Sequence, residues 1–81
     1  QVRRKNDHFL VTIRALETTM KEQGGYKLID GDGFKAEYHR EMARCRMKAQ
    51  FSNAVKMLRN QRVLKEKSPN GKFEVLDLPP V

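Results

Sequence analysis

An α+β fold is predicted, with three helices and a small antiparallel sheet in the order α-β-α-α-β-β. Three observations predict it. Apolar residues recur at helical spacing over three stretches, and the stripe changes phase between the second and the third. Two short β-like runs, Val63-Leu64-Lys65-Glu66-Lys67 and Lys72-Phe73-Glu74-Val75-Leu76, flank the turn Ser68-Pro69-Asn70-Gly71. A further short run, Tyr26-Lys27-Leu28-Ile29, separates the first two helical stretches.

The first helix is expected over about residues 7–23. Phe9, Ile13, Leu16 and Met20 fall at i, i+4, i+7 and i+11, one face of a helix. Asn6 or Asp7 is the expected cap, because a short polar side chain accepts from the unpaired first-turn N–H groups. Gly24-Gly25 ends the helix, since glycine adopts the left-handed C-terminal conformation without penalty. Asp30-Gly31-Asp32-Gly33 reads as a turn, with Asp32 as N-cap of a second helix whose face carries Phe34, Tyr38 and Met42.

No Pro or Gly interrupts residues 34–61, so phase has to decide whether they form one helix or two. Met47, Phe51, Ala54, Val55 and Leu58 make an apolar stripe nearly opposite that of Phe34, Tyr38 and Met42, counting about 100° per residue. A single straight helix would carry two apolar faces on opposite sides. A break around residues 43–47 lets both faces meet one core, which is a helix-turn-helix arrangement. The third helix is then expected over about 47–61 and the hairpin over about 63–76. Pro69 favours the hairpin turn, and Asn70-Gly71 tolerates positive φ.

The 81 residues bound the chain to one domain with a modest core. Residues 1–6, with Arg3, Arg4 and Lys5, read as a basic arm or linker, 7–77 as the domain and 78–81 as a tail. Both ends read as boundaries of a piece of a larger polypeptide. The 17 Lys+Arg against 10 Asp+Glu give a net charge of +7, which suits a polyanion. Ordinary surface solubility gives a similar total, so local charge weighs more. From Met42 to Lys65 there are seven basic residues, Arg44, Arg46, Lys48, Lys56, Arg59, Arg62 and Lys65, and no Asp or Glu. A solubilising face normally mixes signs.

Within that stretch the expected contact face of the third helix carries Ala49, Asn53, Lys56 and Asn60, flanked by Gln50, Ser52 and Arg59. Asn and Gln pair with adenine edges, Lys and Arg with guanine, and Ser with base or phosphate. Arg44, Arg46 and Lys48, near the turn, are placed to meet phosphates beside the helix N-terminus. Lys65, Lys67, Asn70 and Lys72 supply the hairpin's contacts. Double-stranded DNA is the expected partner. A protein-interaction or oligomerisation module is the alternative, with the first helix as its interface and exposed Leu10 and Val11, off the main stripe, as its discriminating feature. Single-stranded RNA favours exposed aromatics for stacking, and the chain has only four Phe and two Tyr.

Other chemistry finds weaker footing. Asp30, Asp32 and Glu41 fall at positions one, three and twelve of a calcium loop. However, Phe34 stands at the fifth position and Lys35 where the sixth needs glycine. Glu37, His39 and Glu41 lack zinc-protease spacing, and Asn70-Gly71-Lys72 lacks the upstream glycine of a phosphate-binding loop. The single Cys45 has no internal partner and no His motif, as expected of a small buried hydrophobe in a reducing cytosol. No apolar run reaches the roughly 18 residues of a membrane span. The chain is therefore expected to be cytoplasmic, non-enzymatic and without cofactor or metal.

With its hairpin, the stretch from Phe9 to Asp77 resembles a winged helix-turn-helix DNA-binding domain. The run Lys48-Ala49-Gln50-Phe51-Ser52-Asn53-Ala54-Val55-Lys56-Met57-Leu58, followed by Asn60-Gln61-Arg62-Val63-Leu64, is also similar to the C-terminal domain of plasmid and phage RecA-like replication ATPases. There a basic helix with a Phe-x-x-Ala-x-x-x-Leu core runs into the first wing strand. The resemblance implies a recognition helix, a basic wing, and a parent protein of replication, mobile-element or regulatory type.

Overall fold

The computed structural model describes residues 8–67 and 71–78. Their order is α1 (His8–Glu22), β1 (Leu28–Asp30), α2 (Gly31–Arg44), α3 (Phe51–Asn60), β2 (Leu64–Lys67) and β3 (Lys72–Val75). This is an α+β fold of three helices and one three-stranded antiparallel sheet, with strand order β1-β3-β2. Leu28, Ile29 and Asp30 pair with Glu74, Phe73 and Lys72. On the other edge Leu64, Lys65, Glu66 and Lys67 pair with Val75, Glu74, Phe73 and Lys72. Period-two alternation turns Ile29, Phe73, Val75 and Leu64 into the core, where they meet the buried faces of the helices.

The phase mismatch is resolved as expected, by a break. The α2 helix buries Phe34, Tyr38 and Met42, and α3 buries Ala54, Val55 and Leu58. The break is longer than the sequence pattern suggested. Residues 47–50 leave the helix and alternate half-buried Met47 and Ala49 with exposed Lys48 and Gln50. That alternation is an extended signature, so α3 begins at Phe51 rather than near 47.

Each helix ends in a left-handed residue with a six-residue backbone loop closing behind it. Gly24 has φ 95° and the Gly25 N–H donates to the Met20 carbonyl at 2.7 Å. Arg46 has φ 55° and the Met47 N–H donates to Met42, while Arg62 has φ 61° and the Val63 N–H donates to Leu58. These are Schellman closures, which pair carbonyls that a helix end otherwise leaves open.

Two further expectations are corrected. Asp32 is not an N-cap. The α2 helix starts two residues earlier, and Asp30 holds the cap position with no side-chain cap bond. Its backbone N–H is instead taken by the Gln23 side chain at 2.8 Å, which ties β1 to the end of α1. Asp32 lies in the first turn, where a negative charge meets the positive end of the helix dipole. Val11 is fully buried in the core and Leu10 is half-buried, so α1 does not present an exposed Leu10–Val11 pair. The expected caps Asn6 and Asp7, the basic arm and Pro69 lie outside the described residues.

Two contacts lock the layers. The Gly31 N–H donates to the Gly71 carbonyl at 2.8 Å, joining the start of α2 to the hairpin turn. A Cβ on Gly31 would collide with that same carbonyl. The fully buried Tyr38 sits between all three helices. Its hydroxyl accepts from the Gln50 backbone N–H at 2.8 Å and shares a 2.8 Å hydrogen bond with His8 Nε2. Tyr38→Phe is expected to lower stability by about 0.5–1.5 kcal/mol, because the partly buried Gln50 N–H loses its acceptor. A urea midpoint within error of the wild type would refute this. Gly31→Ala is expected to loosen the hairpin, seen as faster amide exchange in β3 than in α1.

Candidate nucleic-acid interface

The third helix has three sides. Phe51, Ala54, Val55 and Leu58 face inward, and the Phe51 ring stands edge-on to Phe34 with centroids 5.3 Å apart. Opposite the core, Asn53, Lys56 and Asn60 are all exposed. On the flank toward the sheet lie Ser52 and Arg59. An aromatic pair of this kind adds about 0.5–1.5 kcal/mol to its area burial, which makes the helix a firm base for its outward residues.

Between that flank and the hairpin runs an open groove of about 350 Å³. Phe51, Val55 and Phe73 line its apolar part, and Ser52, Lys56, Arg59 and Glu66 its polar part. The Arg59 guanidinium donates to the Glu66 carboxylate at 2.9 Å across it. The groove therefore carries an acid at the centre of a basic surface.

That acid qualifies the expectation drawn from local charge. The stretch from Met42 to Lys65 has no acid in sequence, but folding brings acids to it. Arg44 pairs with Glu41 at 2.7 Å, one turn back on α2. Arg59 pairs with Glu66, and Lys67 reaches Glu74 at 3.5 Å on the adjacent strand. These exposed pairs are each worth roughly 0–1 kcal/mol, so an outside anion competes with them on near-equal terms. Arg46, Lys48, Lys56, Lys65 and Lys72 are exposed and have no ion-pair partner among the described residues.

The remaining expected contacts divide by element. Lys48, Ala49 and Gln50 lie in the extended link, not on the helix, because α3 starts at Phe51. Ala49 is half-buried against the core, so it does not line an outward face. The Asn53 amide donates to the Gln50 side-chain carbonyl, which fixes both side chains beside the helix N-terminus. Lys67 and Lys72 stand opposite each other across the hairpin, an arrangement that costs stability in isolation. Asn70 lies outside the described residues.

Arg62 was not among the expected contact residues. It is exposed, has no ion-pair partner among the described residues and closes α3 in a left-handed conformation. With Arg46 it places a cation just past the C-terminus of each of two successive helices, where positive charge meets the negative end of the dipole. Its signal in the sequence was the end of the apolar stripe at Leu58, which requires a closing residue a few positions on.

No protein-family model matches this chain, and neither the comparison with curated proteins nor that with solved structures returns a match. No described helix is long and apolar enough to cross a membrane.

Arg62→Asn is expected to raise stability less than Arg62→Gly, which gains up to about 0.5 kcal/mol once the lost helix-terminal charge is set against the relieved left-handed strain. In Arg62→Gly the left-handed cost of about 1–2 kcal/mol is removed, less the extra freedom glycine gains on unfolding. An unchanged or lower urea midpoint for Arg62→Gly would count against a strained closure.

Proposed function

We propose that this chain is a winged-helix module that binds double-stranded DNA, with α3 in the major groove and the β2–β3 hairpin along the backbone. One observation carries the proposal. Exposed Lys56 lines the groove between α3 and the hairpin, and Arg46 and Lys48 before α3 and Lys65 and Lys72 on the hairpin are further exposed cations, all five without ion-pair partners among the described residues.

In this proposal Asn53 and Asn60 face base edges, and Ser52, Lys56, Arg59 and the hairpin lysines hold phosphates. The module belongs to a larger cytoplasmic protein of replication, mobile-element or regulatory type. Its own part is binding rather than catalysis.

A second function has one observation in its favour. Tyr26, Leu28 and Leu76 are 71%, 49% and 42% exposed. Leu28 pairs across from Glu74, two residues from Leu76, so the three gather at one end of the sheet. A protein-interaction or oligomerisation module would use them in place of α1. Sedimentation of a Leu28→Ser, Leu76→Ser variant beside the wild type distinguishes the two, because only an interaction surface loses self-association.

The DNA proposal is tested by titrating a duplex at low and moderate salt. Five to seven phosphate contacts give a log–log salt slope of roughly −5 to −6. Absence of binding at low salt, or a flat slope, removes the proposal. Lys56→Ala is expected to weaken binding on every sequence. Asn53→Ala is expected to change sequence preference more than affinity, measured as the ratio of Kd values over a set of single-base variants.

A further inference from the structure

We propose that the groove between α3 and the hairpin is a phosphodiester site, and that Glu66 occupies it as a displaceable internal anion. The site consists of the Ser52 hydroxyl, the Lys56 ammonium and the Arg59 guanidinium, three groups at i, i+4 and i+7 on one flank of α3. Helical spacing brings such residues to one side. All three are donors and two are cations, a set that suits a tetrahedral anion better than a flat base edge.

The Glu66 carboxylate already shows where an anion sits. Its Oε1 accepts from Arg59 at 2.9 Å from the facing strand. The two side chains are 48% and 53% exposed, so water and ligand reach the pair. Glu66 lies opposite Phe73 in the sheet, which fixes its strand against the apolar floor of the groove. It therefore cannot retreat far, while its side chain can swing outward. Lys56 lines the same groove and has no partner among the described residues, so a second cation waits for the anion that displaces Glu66.

This assignment deepens the DNA proposal. A backbone strand passing between α3 and the hairpin would put one phosphate on Arg59, Lys56 and Ser52. Glu66 then loses its cation and lowers the affinity of the whole module. The acid acts as a threshold, so weak or poorly placed polyanions fail to open the Arg59–Glu66 pair.

The test is a double-mutant cycle with a duplex as ligand. Glu66→Gln is expected to tighten binding about two- to fivefold, the range set by the worth of an exposed ion pair. The salt slope should steepen by up to roughly 0.9, because the wild-type Glu66 re-acquires a cation when Arg59 leaves. In an Arg59→Ala background the same change is expected to gain little. A gain undiminished by Arg59→Ala would mean that Glu66 acts only by general repulsion, and this would overturn the site. So would a loss of affinity in Glu66→Gln. The Arg59 side-chain resonances, followed with the duplex and separately with inorganic phosphate, identify the source of the anion. Shifts with the duplex support both proposals. Shifts with phosphate alone keep the site and remove the DNA proposal. Shifts with neither overturn the site.

Discussion

The Tyr38 hydroxyl is the point on which the arrangement of helices depends. It lies in a fully buried position on α2, accepts from the N–H at the start of α3 and hydrogen-bonds His8 at the start of α1. The bond is partly buried, and with Tyr38 fixed in the core it holds the residue before α3 in place. The Tyr38 ring also packs near Phe51, with centroids 5.6 Å apart. One side chain thus satisfies the polar start of α3 and anchors its first apolar residue. Everything that α3 presents outward follows from that placement.

The outward surface is less uniformly basic than its local sequence. Glu41, Glu66 and Glu74 reach Arg44, Arg59 and Lys67 from neighbouring turns and strands. Two of these pairs join residues distant enough in sequence that only folding brings them together. The acids do not cancel the surface, because exposed pairs are weak and easily exchanged. They divide it into cations held within the protein and cations that stand ready for a partner. The groove between α3 and the hairpin contains one of each, Arg59 and Lys56.

Much of the architecture was legible in the residues. The order of elements, the break between α2 and α3 and the hairpin follow from apolar period and phase, which report directly on what must be buried. The glycine closure of α1 was equally plain, whereas Arg46 and Arg62 close the next two helices without any glycine to mark them. The sequence pattern starts α3 too early because Met47 falls in phase with Phe51, Ala54 and Leu58, whereas Ala49, which that helical phase turns outward, is half-buried in the extended link. The start of α2 was misplaced because the Asp30 N–H is taken by Gln23, a partner seven residues away. Val11, off the first stripe, is buried because α1 packs on more than one side.

The fold class, most of the core and the gathering of cations in the second half of the chain are legible in the residues alone. These depend on periodicity and composition, which are local properties. Folding settles which cations lack a partner among the described residues, where α3 begins and that Glu66 stands inside the basic groove. Each of these depends on a contact between distant elements, Tyr38 with Gln50 or Arg59 with Glu66, and such contacts have no local period to announce them.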